Sequence, residues 1–255
     1  MNFTELKDLL NESYERYNNP VFITEDPIIV PHSFSHKEDM EIAGFFAATL
    51  AWGQRPQIIR SSMKLMQMMD HEPYKFITSS SENEIKMLQR FVHRTFNGSD
   101  CMFFVRSLKN IYLKHNGLED VFSDAFYRHN NLKQSLIEFR RIFFEIPHLH
   151  HAEKHISDAA KESACKRINL FLRWMVRNDG RGVDFGLWKK IPSSALYCPL
   201  DLHTGNTSRE LGLLNTKQNN WKAVEELTTI LRKFDANDPV KYDFSLFGLG
   251  IYDKL

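Results

Sequence analysis

Cysteine is scarce in this chain of 255 residues: there are three, Cys101, Cys165 and Cys198, and no C-x-x-C pair. That scarcity argues against a disulfide framework, a zinc ribbon and a cysteine-bound iron–sulfur cluster, and it suits a reducing cytoplasm. An excess of one charge is lacking too, since 33 Lys and Arg stand against 32 Asp and Glu. A nucleic-acid binder with that balance has to gather its cations on one face, because phosphate neutralisation is local. Long apolar runs are missing. The longest, from Ile42 to Gly53 (IAGFFAATLAWG), is too short to span a bilayer and reads as a buried helix. The opening MNFTELKDLLNESYERY mixes acids and bases without the apolar segment of a secretory signal, so a cytoplasmic location away from membranes is expected.

Hydrophobic residues make up 42% of the chain and aromatic ones 13%, enough to build one large core or two closely packed lobes. Strand-like alternation does not persist anywhere and no internal repeat is visible, whereas 3.6-residue periodicity recurs. Helices are predicted over about residues 3–17, 39–52, 57–69, 82–93, 100–114, 117–128, 131–145, 163–177, 202–212, 219–233 and 238–249. Pro20, Pro27 and Pro31 make residues 18–35 an extended or turning arm. Gly53-Gln54-Arg55-Pro56 reads as a turn, and 146–162 as irregular. The expected fold class is all-α.

Some residues invite chemistry on their own. Asp201 stands just before a predicted helix and can cap it, accepting backbone N–H bonds that keep the carboxylate ionised. The ordinary alternative is a cap and nothing more. Lys166 falls in the first turn of the helix over 163–177, beside Arg167, where partial burial and the helix dipole favour the neutral amine; otherwise it is a solvated surface lysine. Arg167, Arg173 and Arg177 recur along the same helix, as phosphate contacts or as its solvated face. In HLHHAEKH, His151 and His155 are spaced i,i+4 and on a helix can share a metal with His148 or Glu153; a solvent-facing histidine cluster is the plainer reading. Residues 156–165 hold no glycine, although a tight hairpin wants glycine wherever φ is positive. Asp243 reads as starting or capping a turn and carries no assigned chemistry.

Three segments together carry a resemblance. Pro199-Leu200-Asp201-Leu202-His203-Thr204, followed by Arg209 and Leu211-Gly212, resembles the V-D-T-H segment of the helix-hairpin-helix DNA glycosylases, typified by endonuclease III and the 8-oxoguanine glycosylases. Ser163-Ala164-Cys165-Lys166-Arg167 is similar to the G-x-x-K start of their next helix, and Ala47–Arg55 to their L-L-S-x-Q-T helix end. The whole chain looks closer still to a bacterial family of uncharacterised proteins, through DPIIVPHSF (26–34), PLDLHT (199–204) and DPVKYDFSLFGLG (238–250).

The resemblance implies a two-lobed helical fold with a cleft between the lobes. Both termini (about 1–70 and 200–255) would form one lobe and residues about 71–199 the other. It implies base excision from double-stranded DNA, on an oxidised base such as 8-oxoguanine, by a monomer without cofactor or metal. Lys166 would be the nucleophile and Asp201 the carboxylate, with Gln54, Arg55, Ser163, Arg167 and His203 on the DNA. The alternatives are an inactive DNA-binding protein of the same fold, or a metal-dependent hydrolase centred on His148, His151 and His155.

Overall fold

A computed structural model describes residues 1–253, and its fold is all-α: thirteen α-helices and several short 3-10 turns, with no strand among the described residues. In chain order the helices are α1 (Phe3–Tyr17), α2 (Ile29–His32), α3 (Lys37–Thr49), α4 (Arg55–Met68), α5 (Pro73–Ser79), α6 (Glu82–Met87) and α7 (Gly98–Lys114). They continue with α8 (Leu118–His129), α9 (Leu132–Phe143), α10 (Lys166–Val176), α11 (Leu202–Glu210), α12 (Trp221–Phe234) and α13 (Tyr242–Ile251). No helix among the described residues is long and apolar enough to cross a membrane.

The helices start where side chains satisfy their orphan N–H groups. Asn2, Ser81 and Asn97 form capping boxes with Glu5, Glu84 and Asp100, and Asn131, Asp201 and Asn220 cap α9, α11 and α12. The proline-rich arm does not stay extended. Its prolines fall where a missing N–H is tolerated, so a 3-10 turn (Pro20–Glu25) and the short α2 form within it. Helix α5 goes beyond the sequence reading; Pro73 at its first position is the signal that was available.

The chain divides into two compact units, with boundaries at 22/23 and 157/158. The resemblance placed them near 70 and 200. One unit joins Met1–Phe22 to the chain from Asp158 onward; the other is Ile23–Ser157. In the first, α1 packs on α13 and α13 on α11, around a core including Leu10, Leu200, Leu227, Leu231 and Leu246. In the second, α3 is the central element: Ile42, Phe45, Phe46 and Leu50 are fully buried, and the Phe45 ring meets Phe104, Phe139 and Phe143. α3 and α4 belong there because α3 packs against α2, α4 and α5.

Within the irregular segment 146–162, His150–His155 form a 3-10 turn, so the i,i+4 helical geometry that a metal shared by His151 and His155 would need is not present. A turn forms before α10 without glycine. Glu162 (φ 58) and Cys165 (φ 48) take the left-handed conformation themselves, at about 1–2 kcal/mol each. The loop holds that strain through backbone bonds: Ser163 N–H donates to the Asp158 carbonyl (3.1 Å) and Trp221 N–H to the Glu162 carbonyl (2.9 Å).

Candidate active site at the start of helix α10

The site is built on two helix N-termini. Lys166 is the first residue of α10, and Asp201 is the N-cap of α11. The cap bond fixes the aspartate: Thr204 N–H donates to Oδ1 at 2.9 Å. The Asp201 carbonyl accepts Gly205 N–H (2.9 Å) and the Asn219 side-chain amide (2.8 Å). Arg209 donates to Asn219 Oδ1 at 2.6 Å and holds that amide in turn. Gly205 is required here, since a Cβ at that position would sit 2.6 Å from Asn219 Oδ1. With Oδ1 spoken for, Oδ2 lies 3.6 Å from Lys166 Nζ. That distance is an ion pair and not a hydrogen bond. Both side chains keep 29% of their surface open, so a solute can reach them.

Behind this pair the charges are buried. Arg173 and Arg177 follow Lys166 by seven and eleven positions, which puts all three on one stripe of α10. Neither arginine is solvated, and neither is open to phosphate. Arg173 donates to Asp243, and its Nε to Asp184 at 3.3 Å. Arg177 is fully buried; it donates to Asp238 (2.9 Å), Asp184 (2.9 Å), Asp179 (2.9 Å) and the Tyr14 hydroxyl (2.8 Å). Burial alone would lower the Arg177 pKa, but the charges of Asp184 and Asp238 outweigh it and hold the guanidinium cationic. For Asp179 burial works upward; the Tyr14 hydroxyl and Arg177 reverse it and bring the carboxyl down to about 2.

Asp243 is the group that the sequence reading passed over. It is buried at the start of α13, and burial raises its pKa to about 6 against the pull of Arg173, with the Asp201 charge adding to the rise and Lys166 opposing it. The carboxyl therefore belongs to the electrostatics of the Lys166–Asp201 pair. The D-P-V-K-Y-D segment gave no sign of this, because a buried acid and a turn acid look alike in sequence. One expected result follows. The folded pKa lies above the ordinary carboxylate value of 3.8, so the folded state holds the proton more tightly. Stability contributed by this group is present below about pH 4 and is lost as pH rises to about 6. In urea denaturation across that window, the advantage of the native chain over Asp243→Asn should shrink with rising pH by up to about 3 kcal/mol. An unchanging difference would contradict the assignment.

The remaining predicted residues fall as follows. Ser163 and Arg167 are half-buried beside Lys166, with Ser163 Oγ accepting Cys165 N–H at 3.5 Å. Burial lowers the Arg167 pKa to about 10, which leaves it charged at neutral pH. His203 is exposed in the first turn of α11 beside Leu202, itself 64% exposed. Gln54 and Arg55 lie in the other unit, where exposed Gln54 is the N-cap of α4 and half-buried Arg55 its first residue.

The three histidines of the hydrolase alternative do not converge. His151 Nδ1 and His155 Nε2 each approach the buried Asp100 carboxylate, at 2.8 and 3.1 Å, while His148 Nε2 faces Glu153 at 3.5 Å. His155 is buried, so the group is not a solvent-facing cluster either. Among the described residues no group of three or more His, Cys, Asp or Glu side chains is placed to hold a metal ion.

A family described as "Protein of unknown function (DUF2400)" matches residues 26–252. The chain belongs to the DUF2400 family. The match takes in every candidate residue named above, and the family's description assigns none of them a role. No curated protein and no solved structure matches the chain.

Proposed function

We propose that the chain is a DNA base-excision glycosylase with an accompanying lyase step, acting on an oxidised base such as 8-oxoguanine. The observation that carries the reading is the Lys166–Asp201 pair: an amine and a carboxylate 3.6 Å apart, part-exposed, each at the N-terminus of a helix. The resemblance of PLDLHT and SACKR to the glycosylase segments supports it.

The chemistry assigns each group a task. Asp201 takes a proton from the Lys166 ammonium, and the free amine attacks C1′ of the damaged nucleotide. The N-glycosidic bond breaks, its electron pair leaves with the base, and the base takes up the proton that Asp201 had accepted, which restores the carboxylate. Positive charge grows on the sugar as the bond lengthens, and the fixed Asp201 carboxylate stabilises it. Opening of the sugar ring leaves an iminium joining Nζ to C1′. Loss of a C2′ proton then expels the 3′ phosphate with the C3′–O electrons.

Sodium borohydride tests this directly, because hydride reduces the iminium to a stable amine and links protein to DNA. Duplexes carrying a panel of oxidised bases should yield a covalent adduct with at least one lesion, and Lys166→Gln should yield none. Absence of both adduct and abasic product with every lesion would sink the proposal. Lesion binding that survives Asp201→Asn, with no turnover by the native chain, would point instead to a binding protein.

A further inference from the structure

The second unit carries an arginine in a conformation suited to glycine. His93 and Phe96 bond to each other through both backbone pairs (2.8 and 2.9 Å), closing a two-residue turn over Arg94 and Thr95. Arg94 takes φ 56 at the first turn position, where glycine is the ordinary choice. The conformation is bought for the side chain, whose guanidinium lies over the Trp52 ring at 4.9 Å. Two neighbours hold that arrangement. The His93 ring stands edge-on to Trp52 at 6.1 Å and bonds to Ser61 of α4 at 2.9 Å. Gly53 makes room, since a Cβ there would lie 2.3 Å from Arg94 Nη1.

Arg94 is exposed, and α4, to which its turn is tied by the His93–Ser61 bond, is cationic. Helix α4 carries Arg55, Arg60 and Lys64 and no acidic residue along its length. Exposed Arg60, Lys64 and Arg94 have no carboxylate partner among the described residues. In a chain of formal charge +1, this is a local gathering of positive charge beside an aromatic ring. Unneutralised cations of one sign cost self-repulsion that a polyanion relieves. A guanidinium held over an indole ring loses little freedom when its N–H groups bond phosphate oxygens.

We propose that this surface, centred on the Arg94–Trp52 stack and running along α4 through Arg60 and Lys64, grips the phosphodiester backbone of duplex DNA. The identity of the polyanion rests on the proposed function; the surface itself does not depend on Lys166 or Asp201.

Arg94→Gly is the decisive variant, because glycine suits φ 56, so relief of backbone strain offsets the lost contact with Trp52. Its thermal midpoint should equal or exceed that of the native chain. Its affinity for an undamaged 20-base-pair duplex should fall several-fold at about 100 mM salt, and the slope of log K against log salt should flatten by roughly one. Arg94→Lys, which keeps charge without the planar stack, should fall between the two. Equal affinity and slope for Arg94→Gly and the native chain would overturn this surface alone, leaving the trapping assay to judge Lys166. Failure of the native chain to bind the duplex even at low salt would overturn both readings.

Discussion

Asp201→Asn should lower single-turnover base release by about 10²–10⁴-fold while leaving the fold intact. The two oxygens of this carboxylate have separate duties. Oδ1 caps α11 through Thr204 N–H, and asparagine caps a helix as well as aspartate does. Oδ2 faces Lys166 Nζ and is the atom that would take the proton and answer charge on the sugar. The amide retains the first duty and abolishes the second. Urea midpoints of the two proteins should therefore agree within about 1 kcal/mol, and the rate loss should be chemical. A variant with native rates would remove Asp201 from the mechanism; a variant that fails to fold would show that the charge matters to the cap itself.

Arg177→Met should destabilise the first unit by about 3–5 kcal/mol, the cost of leaving buried charges without their partner. The fully buried guanidinium answers Asp179, Asp184 and Asp238 and bonds Tyr14 from α1. Methionine fills much of the volume but takes the guanidinium from Asp238 and leaves Asp184 to Arg173 and Asp179 to Tyr14 and Asn18. The comparison is Arg181→Met. That arginine pairs with Glu15 at 2.7 Å, where its own side chain is 32% and that of Glu15 63% exposed, and it reaches Asp179 only at 3.8 Å, so its loss should cost no more than about 1 kcal/mol. Chemical denaturation of both variants gives the ratio. Similar costs would mean that the buried network contributes no more than a surface pair.

The sequence made the helices legible wherever local signals agreed with burial. Phe3, Leu6, Leu10 and Tyr14 marked α1 along its true length, and Asp201 was recognisable as a cap from its place before an amphipathic segment. Long-range charge pairing was not legible. Arg173 and Arg177 read as solvated or phosphate-binding because nothing local reveals that Asp184, Asp238 and Asp243 return to meet them. The turn before α10 was hidden for a different reason. Glycine is the usual sign of positive φ, and here Glu162 and Cys165 accept that conformation under restraint from Asp158 and Trp221. The histidine cluster misled because i,i+4 spacing has meaning only on an α-helix, and HHAEKH forms a tighter turn. Arg94 gave no signal at all, since its interest lies in a backbone angle.

The division of the chain has a consequence for biosynthesis. Helix α1 packs on α13, yet Ile23–Ser157 are made between them and form a unit of their own. At about 5–20 residues per second, the inserted unit can complete itself on the ribosome while the apolar stripe of α1 waits seconds longer for its mate. A nascent chain arrested after Ser157 would present that stripe to whatever chaperone stands at the exit tunnel.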